Sequence, residues 1–398
     1  MTQAFNGVRI IDFTQVLAGP MGVMQLALLG ADVIKVEQVG SGDQTRGLMT
    51  TNSDGMSPSF MTCNLNKRSI TLDLKSEAAQ QIVPRLVESA DVLVENFKAG
   101  TMDRMGFGYE AMSAINPGLI YCSVTGYGQT GAKAGVAAYD GAIQASSGMM
   151  SQNGHPATGP TRTGYMPVDM STALNTAFAI SAALYRKLAT GKGQRLDVAM
   201  MDTAIVAQAA QYSNFMNAGT LVGLRGNASP TGQPTADVFP TADGYIQITA
   251  LRDNQVLTLF TAMNCAEQLQ QPGFDSVEAR LNNPDVVREF VSEQLRLAPT
   301  SHWMQALGSA GVPVAEIREL AEVIEDPQFE GRNVFETLPS PTGAGEDIRV
   351  VKAGYVTNED GPAVRSGPPV LGTHTNEVLA ELGFASETIA DWRTSGSI

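Results

Sequence analysis

Thiols, imidazoles and aromatic rings are all scarce in this 398-residue chain, which has 3 Cys, 3 His and only 6% Phe, Trp and Tyr together. Cys63, Cys122 and Cys265 lie far apart with no CxxC spacing, which speaks against a disulfide framework and a zinc site. His155, His302 and His374 are equally scattered, so neither a metal site nor a Ser-His-Asp arrangement can be built on them. Cations are in deficit, 26 Lys and Arg against 40 Asp and Glu for a formal charge of −14. That balance argues against nucleic acid as the main partner, because phosphate neutralisation needs clustered cations. No apolar run reaches the length of a membrane helix, and residues 1–5 lack the basic start of a secretion signal. The reading is of a cytoplasmic protein with no membrane and no nucleic-acid partner. With thiols and imidazoles so sparse, nucleophilic catalysis would fall to a carboxylate.

What the chain does have is core material: 43% hydrophobic residues, with 40 Gly and 18 Met. This suits a soluble α/β enzyme too long for one ordinary core. Residues 8–13 read as a short buried strand, Ala18-Gly19-Pro20 opens a helix that Gly30 stops, and residues 31–37 form the next strand. A strand, a helix and a strand make a βαβ unit, for which a parallel sheet is expected. The alternation resumes with a strand at 70–74, a helix at 76–89, a strand at 92–95, a short helix near 101–105 and a strand at 119–124. These elements predict an α/β fold with a Rossmann-like large domain over 1–216 and a linker at 217–235. A smaller α+β domain over 236–325 follows, then a linker and C-terminal segment over 326–398 that returns to the large domain.

Two Gly-rich stretches look like ligand loops. One runs from Gly40-Ser41-Gly42-Asp43-Gln44-Thr45-Arg46 into the polar segment 50–57; the other spans 126–163. Gly126-Tyr127-Gly128-Gln129-Thr130-Gly131 fits G-x-G-x-x-G after a predicted strand, but no confident helix start follows it. No acidic residue stands about 20 positions on to hold a ribose, so the motif reads as a plain Gly-rich loop. A lone carboxylate, Asp169, follows Tyr165-Met166-Pro167-Val168 at the head of a predicted helix over 170–188. It reads either as that helix's N-cap or as a nucleophile, and the two readings are compatible.

Several further motifs, taken in order, carry a resemblance. They are Val8-Arg9-Ile10-Ile11-Asp12-Phe13-Thr14 with Ala18-Gly19-Pro20, Leu29-Gly30-Ala31-Asp32-Val33-Ile34-Lys35-Val36-Glu37, the Gly40–Arg46 loop, and Asn66-Lys67-Arg68-Ser69. Asp91-Val92-Leu93-Val94-Glu95-Asn96-Phe97, Gly126-Tyr127-Gly128, Asp169, Gly191-Lys192-Gly193-Gln194 and Pro369-Val370-Leu371-Gly372 complete the set. In this order, over essentially the whole chain, the sequence resembles the family III CoA-transferases of the CaiB/BaiF group, which includes formyl-CoA transferase and carnitine CoA-transferase. The α-methylacyl-CoA racemases are relatives of that group.

The resemblance implies that Asp169 is the nucleophile, passing through a mixed anhydride to an aspartyl-CoA thioester. It implies a CoA thioester as substrate, no permanently bound cofactor, no metal and an interlocked homodimer. CoA contacts are implied at Ala18, Leu72, Lys75, Asn96, Phe97, Arg104, Met105 and Tyr139, and an acceptor pocket at Leu17, Arg46, Leu48, Asp140 and Arg252. A helix N-terminus beside Asp169 would keep it ionised and help an oxyanion. Departures from formyl-CoA transferase are Gln38 for an Arg and Ala137 for a Lys on the CoA side. On the acceptor side they are Leu17 for a Gln, Leu48 for a Trp and residues 249–253 for a glycine run. These changes point away from oxalate and formate and towards C4–C5 dicarboxylates such as succinate, mesaconate or itaconate. Succinyl-CoA or acetyl-CoA would be the donor, with Arg46 or Arg252 for the second carboxylate. The alternatives are a racemase, which would need a second base where Tyr139 stands, and a non-enzymatic CoA-binding protein, against which Asp169 counts.

Overall fold

In the computed structural model, which describes residues 3–48 and 56–398, the short apolar runs become the strands of one sheet. They are β1 (Arg9–Asp12), β2 (Asp32–Glu37), β3 (Lys67–Thr71), β4 (Val92–Glu95), β5 (Ile120–Thr125) and β6 (Gln194–Ala199). All neighbours are parallel, and the order is β3-β2-β1-β4-β5-β6. Residues 49–55 of the predicted polar loop segment lie outside the described residues. The helices that matter here are α1 (Ala18–Leu28), α2 (Glu77–Glu88), α3 (Asp140–Ser146), α4 (Pro167–Thr190) and α5 (Met200–Ala207).

Consecutive strand residues point to opposite faces of a sheet, so a strand covered on both sides is apolar throughout. Ile11, Ile34, Ile70 and Leu93 pack with Ile82, Val83 and Leu86 of α2 on one face. Ile10, Val33, Val92 and Ile120 pack with Val23 and Leu26 of α1 and Ile180 and Leu184 of α4 on the other. The strand order reverses between β1 and β4, and it is outside the carboxyl ends of strands at such a point that ligands bind in open α/β sheets.

The chain divides into two units. The sheet lies in the unit formed by residues 1–147, 163–212 and 327–398; the other is formed by 148–162 and 213–326. Residues 148–162, inside the 1–216 span read as the large domain, group with the second unit. That unit has a three-stranded antiparallel sheet of Ala236–Pro240, Tyr245–Thr249 and Val314–Glu316. Its core joins Phe239, Ile246, Ile248, Phe260, Trp303 and Leu307.

Candidate active site

The loops after β1, β4 and β5 meet residues from α4 and α5 around one cavity of about 320 Å³. Gln15 to Ala18 come from the first loop, Asn96 to Ala99 from the second, and Val124 to Gly126 with Ala134 and Val136 to Tyr139 from the third. Asp169 and Met200 complete the ring with Gln44. The third loop can fold back because Gly126 has no side chain: a Cβ there would lie 2.5 Å from the Ala138 Cβ. Among the described lining residues the only charged side chains are Lys98 and Asp169.

The first loop is held in a costly shape. Val16 has φ 71°, left-handed backbone that a β-branched residue rarely adopts and that persists only when its surroundings impose it. Lys35 Nζ donates to the Thr14 carbonyl at 2.7 Å, and Asp43 Oδ1 accepts the Val16 N–H at 3.2 Å. The Asn96 amide clasps Gln15 on both sides, accepting its N–H at 2.8 Å and donating to its carbonyl at 2.7 Å. Behind these bonds lie two fully buried ion pairs, Lys35–Asp43 at 2.9 Å and Lys67–Asp12 at 2.8 Å. Burial alone would raise the Asp12 carboxyl, but Lys67 and Lys35 outweigh it and hold Asp12 below the usual carboxylate range.

Asp169 is not the N-cap that the sequence allowed. Met166 occupies that position without a side-chain hydrogen bond, Pro167 is the first helical residue, and Asp169 stands third in α4. The cap comes from another helix: Asp140 Oδ2 accepts the N–H of Val168 at 2.8 Å and of Asp169 at 3.0 Å. The helix terminus is therefore already answered by a carboxylate and does not draw Asp169 towards ionisation. Burial, with the Asp140 charge adding to it, pushes the Asp169 carboxyl up to about 6. Its carboxylate has no hydrogen-bond partner among the described residues. It is thus a poorly solvated anion facing a cavity, the state in which a carboxylate is most nucleophilic.

The other sequence-derived positions separate into groups. Leu17, Ala18, Asn96, Phe97 and Tyr139 line the same cavity as Asp169. Asp140 is 5% exposed and serves as the cap of α4, with Gln144 Nε2 donating to its other oxygen. Leu72 is buried in the core, and Met105 packs against the same cluster. Lys75 and Arg104 are exposed, the latter bonded to Thr101, and neither lines the cavity. Leu48 is exposed, and Arg252 is an exposed residue of the second unit at the head of the helix Asp253–Ala262.

Arg46 requires a correction: its guanidinium turns inward onto Glu37, with Nε and Nη2 at 2.7 and 2.6 Å from the two oxygens. Nη2 also donates to the Pro369 carbonyl, and the guanidinium stacks on Phe60. A Cβ at position 42 would strike both partners, so Gly42 makes room for the pair. A guanidinium so engaged is structural and has no fork left for a substrate carboxylate.

Residues that the sequence reading did not single out are Gln15, Val16, Gln44, Lys98, Thr125 and Met200. Lys98 follows the Asn96-Phe97 pair directly, and that adjacency was the one available signal. Among the described residues, no cluster of three His, Cys, Asp or Glu side chains is placed to hold a metal, and no helix is long and apolar enough to cross a membrane.

The family described as CoA-transferase family III matches residues 5–375. The chain is 34% identical to a succinate–glutarate CoA-transferase of Agrobacterium fabrum, covering 96% of each. It is 36% identical to an acetyl-CoA:oxalate CoA-transferase of Acetobacter aceti, covering 92% of each. Among solved structures, a CaiB/BaiF family protein from Brucella suis is similar with a TM-score of 0.87 at 34% identity, over 96% of this chain and 100% of that one.

Proposed function

The chain belongs to CoA-transferase family III, and from that premise we propose that it moves CoA from an acyl-CoA thioester to a carboxylic acid through an aspartyl-CoA thioester on Asp169. The observation that carries this reading is the unbonded, partly buried Asp169 carboxylate in a cavity with one other charge. Its oxygen attacks the thioester carbonyl and expels CoA thiolate, leaving a mixed anhydride. The thiolate then attacks the aspartyl carbonyl, which releases the donor acid and leaves Asp169 as its CoA thioester. The acceptor carboxylate attacks that thioester, and the thiolate it expels attacks the acceptor's acyl carbon to release acceptor-CoA and restore Asp169. Each step exchanges acyl groups of similar activation, so one hard transfer becomes several easier ones. The start of α1 has no side-chain cap, and Leu17 and Ala18 line the cavity there, so their N–H groups supply donors for the oxyanions.

For the acceptor we favour a C4–C5 dicarboxylate, consistent with apolar Leu17 and Leu48. The glutarate-using relative supports this choice and the oxalate-using one opposes it. Arg46, committed to Glu37, is not the partner of the distal carboxylate in this reading. The test is transfer from succinyl-CoA and from acetyl-CoA to a panel of succinate, glutarate, mesaconate, itaconate, oxalate and formate. Turnover with the C4–C5 acids is expected; turnover with oxalate alone would refute the acceptor assignment.

Lys98 is the cation for the phosphate end of CoA in this reading. Lys98→Ala should raise KM for acyl-CoA about tenfold with kcat nearly unchanged. The effect should vanish with an acyl-pantetheine that lacks the nucleotide phosphates. An equal loss with both substrates would remove Lys98 from that role.

The working form we propose is the family's interlocked homodimer. Leu174, Phe178, Tyr185 and Leu188 of α4, spaced 4, 7 and 3 residues apart, fall on one helix face and are 61% to 87% exposed. A stripe of this kind marks an interaction surface. Sedimentation at micromolar concentration should give twice the chain mass, and Phe178→Glu with Tyr185→Glu should reduce it to a monomer. A wild-type monomer would overturn the assignment.

A further inference from the structure

A second carboxylate at the same end of the sheet has no ion-pair partner among the described residues. Glu95 closes β4, is 4% exposed, and accepts the Phe97 N–H on Oε2 at 2.9 Å. The residues that follow it, Asn96 to Ala99, line the cavity beside Asp169, and the Asn96 amide fixes Gln15 across the cavity floor. One buried side chain thus sets the first peptide of the loop that both lines the cavity and steadies the strained turn at Val16.

We propose that Glu95 is a positioning residue whose ionised carboxylate, by holding the Phe97 N–H, keeps the Asn96–Ala99 loop in its ligand-gripping shape, and that protonation of Glu95 relaxes that grip. This rests on the thioester-transfer reading above. The charged and titratable groups around Glu95 are Asp103 and Tyr109 on the loop side, Tyr121 on β5 and Arg195 on β6, with Ser123 as a hydrogen-bond partner. Burial is the largest influence and pushes the carboxyl up to about 7; the Ser123 and Phe97 hydrogen bonds and Arg195 oppose it, while Asp103 adds to it. A protonated carboxyl is a far weaker acceptor for a backbone N–H than a carboxylate. Ligand affinity should therefore be full above the Glu95 midpoint and fall below it.

The probe is free CoA, with its dissociation constant measured by calorimetry across neutral pH for wild type, Asp169→Asn, Glu95→Gln and Asp103→Asn. The ligand's own phosphate titration is common to all four proteins. Wild type and Asp169→Asn should bind about threefold to tenfold more weakly below the midpoint near 7 than above it. Glu95→Gln, which keeps an acceptor oxygen but cannot titrate, should lose that step. Asp103→Asn, a change at an exposed position, should move the midpoint down by removing a repelling charge, and it serves if Glu95→Gln folds poorly. A Glu95→Gln protein with the wild-type step, or an Asp103→Asn protein with an unmoved midpoint, overturns the proposal. Intact pH-dependent CoA binding without any transfer would defeat the transfer reading and leave this one standing.

Discussion

Asp169→Ala is expected to lower CoA transfer by at least about ten-thousandfold while leaving the folded structure unchanged, because Asp169 is the one carboxylate among the described residues that line the cavity. The three thiols are buried and reluctant to ionise: burial pushes Cys63 up to about 12 and Cys265 up to about 11, and it raises Cys122 further. Asp169 also sets the pH dependence. Since its carboxyl titrates near 6, kcat should rise with pH through about 6 and level off above it. Asp140→Asn should shift that midpoint down, because the like charge beside Asp169 is gone.

The stability consequence has the opposite sign to that of a paired acid. The folded carboxyl holds its proton more tightly than the unfolded one, near 6 against 3.8, so the contribution of Asp169 to stability is fullest below 3.8 and is lost as pH rises through 6. Asp169→Asn removes the penalty at neutral pH and should stabilise the protein by about 1–2 kcal/mol, after allowance for partial solvent screening. A chemical-denaturation midpoint for Asp169→Asn below that of wild type at pH 7 would contradict the raised carboxyl.

The second large effect lies behind the cavity. Asp12→Ala leaves the Lys67 ammonium without its carboxylate in a site that excludes water, and the expected loss is about 3–5 kcal/mol of stability. Lys67 retains the Pro20 carbonyl and the Asn64 side-chain oxygen, which places the loss below that of a bare buried charge. Asp12 also accepts the N–H and hydroxyl of Thr14, so the same change loosens the Thr14–Leu17 loop, and KM for acyl-CoA should rise with it. Asp12→Ala combined with Lys67→Met should recover much of the stability and little of the affinity. Denaturation of the four proteins completes the cycle. A loss under about 1 kcal/mol for Asp12→Ala would show that the buried pair does not support the sheet.

Much of the fold was legible because its signals are local. Ile10-Ile11 and Val92-Leu93-Val94 are short runs of the kind a doubly covered strand requires, and Gly30, at φ 107°, ends the first helix as read. Asp169 emerged by elimination and by its place among the family motifs. What stayed hidden depends on partners brought together only by the fold. Arg46 in a Gly-rich loop looks like a substrate cation until the loop folds back onto Glu37 of β2. Lys35 and Asp12 are charged residues within strands, and nothing local says that their partners Asp43 and Lys67 are buried with them. The cap of α4 comes from Asp140, 29 residues upstream of Asp169, so the sequence put the cap on the wrong acid. Lys75 and Arg104 carried the expected charge for phosphates, but the cation among the described lining residues is Lys98, whose place beside Asp169 only the fold reveals.

The claim on which the rest depends is that Asp169 carries CoA covalently. The direct measurement is to incubate the protein with succinyl-CoA or acetyl-CoA without acceptor, digest it and examine the peptides by mass spectrometry. The account predicts a CoA-sized adduct on the peptide holding Asp169, discharged by a competent acceptor acid and absent from Asp169→Ala. No adduct with any donor, together with transfer retained by Asp169→Ala, would contradict it.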